Sequence, residues 1–452
     1  MNAFGADRRA LEALLQTAVP VAVSQGSLAA MYFTDRYFMS RLDGLHIAAA
    51  HGGALASYLC IALFVGLISY ATVLVAHHFG TGRYAQCAKV TTQGLILCLA
   101  LTPLIALFAW AVGGIFQPLG HAPEQVALER DYFFLLMVAA TLSLPKTCIG
   151  AFFIGTDRTR QVMVIELLGT LLNAPLAYLL IFGKWGFPAL GIAGAAIATI
   201  VATAFSLLLL LAAYLAPANR RTFHIGHSLR FDAAIAGPYL ALGSSAGFER
   251  FLSISAFNLF LLLFQSYGVA ESTAAAIVLG WDSVLRVPML GLAVALSSLV
   301  ARHAGAGDWQ AVRRTVGAGA MLAIGYTAAV GATMLLWQEP MIRLFLADGT
   351  DHSAVMALAR WMMLGVIGYL AADALAVLAA GVLRGLGDTR WILLVSGLVH
   401  WLMLGIQVVA IRWLGLPALL SFGVFVLMVV CLATLYVRRA RRAVRTHRTS
   451  LQ

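Results

Sequence analysis

Long apolar runs, broken by short charged stretches, make up almost the whole chain. The runs fall near residues 10–39, 45–78, 86–116, 127–153, 161–183, 190–216, 235–268, 272–303, 311–337, 352–383, 390–413 and 417–437. A helix needs roughly 20 apolar residues to cross a bilayer, and every run is long enough. Barrel strands are shorter and alternate in polarity, which these runs do not. The pattern therefore predicts an all-α polytopic membrane protein with twelve transmembrane helices. The first run is too long for a signal peptide and has no clear cleavage site.

The longest hydrophilic interruption in the middle of the chain runs from Pro217 to Asp232 and holds Arg220, Arg221, His224, His227 and Arg230. It predicts an N-terminal lobe over 1–216, a linker over 217–234, a C-terminal lobe over 235–437 and a basic tail over 438–452. A six-span unit begins and ends on one side. Two such lobes in sequence share an orientation and can be related by an axis along the membrane normal.

Three echoes support a duplication. Val75-Ala76-His77-His78-Phe79-Gly80-Thr81-Gly82-Arg83 is answered by Val300-Ala301-Arg302-His303-Ala304-Gly305-Ala306-Gly307-Asp308. Both follow an apolar segment with a central glycine, Gly66 or Gly291. Gly155-Thr156-Asp157-Arg158-Thr159-Arg160 is answered by Gly385-Leu386-Gly387-Asp388-Thr389-Arg390, and Trp185 through Leu190 by Leu414 through Leu419. Each piece alone reads as a helix-hairpin turn, where Gly, Asp and Thr suit positive φ and local hydrogen bonds. Their repetition in order, at offsets near 225–230 residues, is what points to repeated lobes. At the first offset Glu249 aligns with Ser24, and Asp35 with Phe260. The scaffold repeats while the acidic residues do not.

Composition agrees with the pattern. Hydrophobic residues are 61% of the chain and charged residues 11%, against roughly 25% charged in soluble domains. The net charge of +11 could signal a nucleic-acid partner, but its placement argues otherwise. With both termini inside, about twenty Lys and Arg fall in the N-terminus, the even-numbered loops and the tail, and about six on the other side. That bias predicts cytoplasmic termini. Arg438, Arg439, Arg441, Arg442, Arg445 and Arg448 read as an anchor near anionic lipid headgroups. Cys60, Cys87, Cys98, Cys148 and Cys431 show no pairing or metal spacing and read as packing residues. His77, His78 and His303 read as capping groups at helix ends.

An ionised side chain inside a spanning helix is costly unless it faces a cavity or a partner, so the few carboxylates within the runs stand out. Asp35 lies in span one, Glu166 in span five, Glu249 in span seven, Asp282 in span eight and Asp373 in span ten. Glu249 has Ser245 and Ser253 four residues to either side, a polar stripe suited to a cavity wall. Asp373 has no charged neighbour at helical spacing and must meet another helix. Asp282 and Arg286 are four apart and can pair with each other, which favours a structural role. Glu166 is expected near Arg158 and Arg160. Asn173, followed by Pro175, is a possible partner of Asp35, since Pro175 removes a backbone hydrogen bond and frees carbonyl oxygen. The competing reading of Asp35 is a surface contact with Arg36 or Arg41. A buried carboxylate can exchange protons near neutral pH, or, with amide and hydroxyl oxygens, hold a hard cation such as Na⁺. The residues leave H⁺ and Na⁺ both open and call for no cofactor and no other metal.

The chain resembles the multidrug and toxic compound extrusion (MATE) family of the bacterial NorM-like type over nearly its whole length. The likeness is carried by Val75 through Arg83, Asn173-Ala174-Pro175-Leu176-Ala177-Tyr178-Leu179-Leu180-Ile181-Phe182-Gly183, Gly191 through Thr199, and Gly381 through Thr389. The resemblance implies two six-helix pseudo-symmetric lobes and export of cationic or amphiphilic organic compounds from the cell across the inner membrane, driven by H⁺ or Na⁺. It matches Asp35 and Asn173 to first-lobe coupling groups, and Glu249 and Asp373 to second-lobe carboxylates. Arg36 beside Asp35, Ala177 one turn after Asn173, and the Asp282–Arg286 pair depart from the family pattern. A monomer is expected.

Three other readings compete. A flippase for a lipid-linked precursor would show a more basic cleft, whereas the acidic bias of these spans favours cationic cargo. An intramembrane enzyme would need a nucleophile–base or metal constellation, and none is visible. A passive channel needs no buried titratable carboxylates and is more often built from oligomeric rings.

Overall fold

The computed structural model describes residues 8–42, 44–117, 122–346, 353–447, 449 and 451. Arg448 of the expected tail and the side chain of His227 lie outside the described set. The helices are α1 (Arg8–Met39), α2 (Gly44–Ser69), α3 (Ala71–Gly80), α4 (Tyr84–Gly113), α5 (Pro123–Gly155), α6 (Thr159–Phe182), α7 (Ile192–Tyr214) and α8 (Pro217–Phe223). After the linker come α9 (Ala233–Phe264), α10 (Val269–Gly305), α11 (Trp309–Leu336), α12 (Gln338–Arg343), α13 (Ser353–Gly385), α14 (Thr389–Val408) and α15 (Ala418–Arg445). Among the described residues, twelve helical segments are long and apolar enough to span a membrane, with α2 and α3 making one span between them. Each coincides with one of the apolar runs.

The twelfth helix differs from expectation. It runs on to Arg445, so Arg438, Arg439, Arg441, Arg442 and Arg445 occupy its last turns rather than a separate tail. Arginine is a good helix former, and no Gly or Pro interrupts the chain from Val424 to Arg445. Arg439 is fixed there by Asp388, whose Oδ2 accepts from its Nε at 2.7 Å.

The sequence echoes become one structural device made twice. Gly82 and Gly307 both have φ +72°, and Asp157 and Gly387 have φ +66° and +82°. These left-handed residues end helices in matching turns. Arg83 N donates to His78 O at 3.0 Å and Asp308 N to His303 O at 2.9 Å. Arg158 N donates to Phe153 O at 2.8 Å and Asp388 N to Leu383 O at 2.9 Å. Such six-to-one bonds satisfy carbonyls that a helix end leaves open. The echoes also touch each other. A Cβ on Gly155 would sit 2.8 Å from Val75 Cβ, and one on Gly385 would sit 2.6 Å from Ser297 O and 3.1 Å from Val300 Cβ. The first echo therefore packs on the second, once in each half. Small residues allow this approach, which drives helix association where lipid gives no hydrophobic force.

Contacts group the chain into two compact units, residues 23–251 and residues 1–22 with 252–452. The division falls inside α1 and α9, whereas the sequence puts it in the 217–234 linker. The linker's polar groups explain the difference, because they are tied to the first unit. Lys89 Nζ donates to Asp232 Oδ2 at 3.0 Å, Gln93 Nε2 to Arg230 O at 2.9 Å, and Arg158 Nη1 to Asn219 Oδ1 at 2.5 Å. Arg158 also lies over the rings of Phe152, Phe153 and Phe223, a cation–π setting that holds α8 in place. In the second unit, Leu14 and Ala18 at the start of α1 pack into a core with Leu296, Leu299, Leu383 and Tyr436.

Candidate functional site

The 23–251 unit brings Asp35 and Asn173 together through a third residue. Asp35 of α1, Asn173 of α6 and Thr199 of α7 are all buried. Thr199 Oγ1 lies 3.2 Å from Asp35 Oδ2 and 3.2 Å from the Ala195 carbonyl. Its single proton serves one of them at a time. Asn173 Nδ2 donates to Thr199 Oγ1 at 3.5 Å. Asp35 Oδ1 and Asn173 Oδ1 are buried with no hydrogen-bond partner among the described residues. A carboxylate, an amide and a hydroxyl oxygen thus converge, two of them with lone pairs to offer. That set suits a proton on Asp35 or a hard cation.

The sequence around Thr199 does not mark it as a ligand. It lies 164 residues from Asp35, and its only sequence signal is a lone hydroxyl in a run of small residues. It supplies the polar group that Ala177, buried in the apolar core, does not. The alternative surface contact between Asp35 and Arg41 is not formed. Arg41 Nη2 instead donates to Tyr37 Oη at 2.8 Å. Helix α6 continues through Pro175, and the Leu171 carbonyl loses the amide donor that proline lacks.

The 252–452 unit brings Asp282 and Asp373 together around one arginine. Arg286 Nη2 lies 2.9 Å from Asp282 Oδ2, one turn away on α10. Its Nε lies 3.4 Å from Asp373 Oδ2 on α13, within ion-pair reach but without a hydrogen bond's alignment. Asp282 was expected to pair with Arg286. The unanticipated part is that the same guanidinium is the partner Asp373 needed.

Glu249 is buried on α9, within the 23–251 unit, while Asp282 and Asp373 belong to the other. The polar stripe expected around it is not a free strip. Ser245 Oγ donates to Ala241 O at 3.0 Å, and Ser253 Oγ pairs with Ser396 Oγ at 2.8 Å. Glu166 does not pair with Arg158 or Arg160. Its Oε2 accepts from Lys146 Nζ at 2.9 Å, because Lys146 faces it from α5, while Arg158 precedes α6 and donates to Asn219 instead. One further buried carboxylate carries no clear signal in the sequence. Glu129 of α5 is fully buried, accepts from Gln125 Nε2 at 2.8 Å, and is covered by Gly52 of α2. Its neighbours Arg130 and Asp131 make it look like part of a polar helix end. Cys60, Cys87, Cys98 and Cys148 are buried free thiols and Cys431 is exposed.

A helical chain with duplicated six-span halves and carboxylates buried deep in its spans has the architecture of a membrane transporter. The MatE family profile matches residues 20–179 and 246–409, and the chain belongs to that family. It is 28% identical to a probable multidrug resistance protein NorM of Chromobacterium violaceum, across 95% of this chain and 94% of that one. It is 30% identical to a protein of the same description from Aromatoleum aromaticum, across 90% and 86%. Among solved structures, a MOP superfamily transporter from Pyrococcus furiosus superposes with a TM-score of 0.88 at 17% identity, covering 97% of this chain and 96% of that one. That last likeness is one of fold.

Proposed function

We propose that this chain is a secondary active multidrug efflux antiporter. It exports cationic or amphiphilic organic compounds in exchange for H⁺ or Na⁺ by alternating access. It works in the bacterial inner membrane with both termini in the cytoplasm. The observation that carries the reading is the Asp35–Thr199–Asn173 cluster. Asp35 and Asn173 each keep a buried oxygen without a hydrogen-bond partner among the described residues. Leaving such a group unsatisfied costs about 1–3 kcal/mol, a cost that binding a proton or cation removes. A site whose charge changes with occupancy is what coupling requires. The arginine-rich loops and the names of the relatives support direction and cargo class. A lipid-precursor flippase is disfavoured by the acidic character of the buried groups.

Reconstitution in liposomes tests the proposal. A pH gradient and a Na⁺ gradient are imposed separately while efflux of ethidium is followed. One of them is expected to drive efflux, and Asp35→Asn to abolish the coupled part while leaving the protein folded. Movement driven by neither gradient, or unchanged coupling in Asp35→Asn, would overturn it.

A further inference from the structure

Arg286 occupies the gap between the buried carboxylate of Asp282 and the partly buried one of Asp373, and helix packing puts it there. Gly381 approaches the Ala293 carbonyl to within 2.7 Å of where its Cβ would be, and Gly385 approaches the Ser297 carbonyl in the same way at 2.6 Å. Any larger residue would push α13 off α10. These contacts lock the register, with Gly381 abreast of Ala293 and Gly385 abreast of Ser297. Two turns earlier on both helices, the same register sets Asp373 abreast of Leu285, beside Arg286. One turn from Asp373, the buried Tyr369 hydroxyl stands by Asp282 without the geometry of a hydrogen bond.

Without the guanidinium, these groups would be a set of carboxylate and phenol oxygens of the kind hard cations prefer. With it, a permanent positive charge lies 2.9 Å from one carboxylate and 3.4 Å from the other. Arginine keeps its proton under all physiological conditions. It is also tethered, so it competes at a far higher effective concentration than any free ion.

We propose that Arg286 is a built-in cation that excludes Na⁺ from the Asp282–Asp373 pair, and so sets the ion selectivity of the 252–452 unit. Its meaning for coupling rests on the antiport reading, but its test does not. The test is equilibrium binding of radiolabelled Na⁺ to the purified full-length chain, in alkaline buffer so that a freed carboxylate is not held protonated. In the protein with Arg286 intact, Asp373→Asn leaves Na⁺ binding unchanged. Arg286→Met gains a binding component, and Arg286→Met/Asp373→Asn loses it again. The gain is on the order of a hundredfold or more, because a like charge about 4 Å away opposes a second cation at least that strongly. Arg286→Lys keeps the charge and binds as the parent does.

Loss of parental Na⁺ binding on Asp373→Asn overturns the proposal, as does a folded Arg286→Met that gains nothing. If Arg286→Met does not fold, Asp373→Asn and Arg286→Lys decide alone. Unchanged binding in both supports the exclusion, and a change in either refutes it. Absent ethidium efflux with these binding results intact would defeat the antiport reading and leave this one standing.

Discussion

Breaking the buried ion pair between α5 and α6 should cost far more than deleting it. Lys146 Nζ lies 2.9 Å from Glu166 Oε2, and each side chain keeps only 10% of its surface exposed. At an effective dielectric of about 20, that separation gives an attraction on the order of 5 kcal/mol. Most of it offsets the loss of two hydration shells, so the net worth of the intact pair is small. Lys146→Met removes the attraction and leaves Glu166 desolvated and unpaired, for an expected cost of about 3–5 kcal/mol. Glu166→Leu does the same to Lys146. Lys146→Met/Glu166→Leu removes both charges and should lie within about 1 kcal/mol of the parent, or above it in stability. Reversible unfolding in mixed micelles with rising SDS, followed by tryptophan fluorescence, supplies the double-mutant cycle. A single variant costing less than about 1 kcal/mol, or a double variant as unstable as the two singles added, would show that the pair is not a desolvated one.

Two other expectations follow from packing and charge. Gly381→Ala places its Cβ 2.7 Å from the Ala293 carbonyl and should cost about 1–3 kcal/mol. Gly280→Ala meets nothing within 4 Å and should gain about 0.5–1 kcal/mol from helix propensity. Thermal unfolding in detergent compares them, and equal effects would refute the close approach of α10 and α13. In the linker, the hydrogen bond from Lys89 holds the Asp232 carboxyl below its ordinary value. The folded value is depressed, so the tie is in full force above the unfolded value of about 4 and is lost as pH falls through the lower folded value. Amide exchange across residues 228–236 should therefore quicken in acid, and Asp232→Asn should show the fast exchange at neutral pH. Slow exchange in that variant would sever the link between this ion pair and the order of the linker.

The sequence by itself determined the number, kind and approximate ends of the spans. A lipid-spanning helix must satisfy its backbone internally and cover itself with apolar side chains, so its length is written locally. It also determined the repeat, because turn glycines and close-packing glycines are local requirements of the backbone. It marked Asp35, Asn173, Glu249, Asp282 and Asp373 as residues needing a reason, since burying a polar or charged group is expensive wherever it happens. What it could not supply were the partners. Thr199 reaches Asp35 across 164 residues, Arg286 reaches Asp373 only through the register of α10 on α13, and Lys146 replaces the nearer-looking arginines at Glu166. The division of the chain inside α1 and α9 was hidden for the same reason. Polar interruptions show where a chain leaves the apolar phase, whereas compact units are set by which surfaces pack together. Which residue answers a buried charge depends on helix faces brought together from distant parts of the chain, and only the tertiary structure decides that.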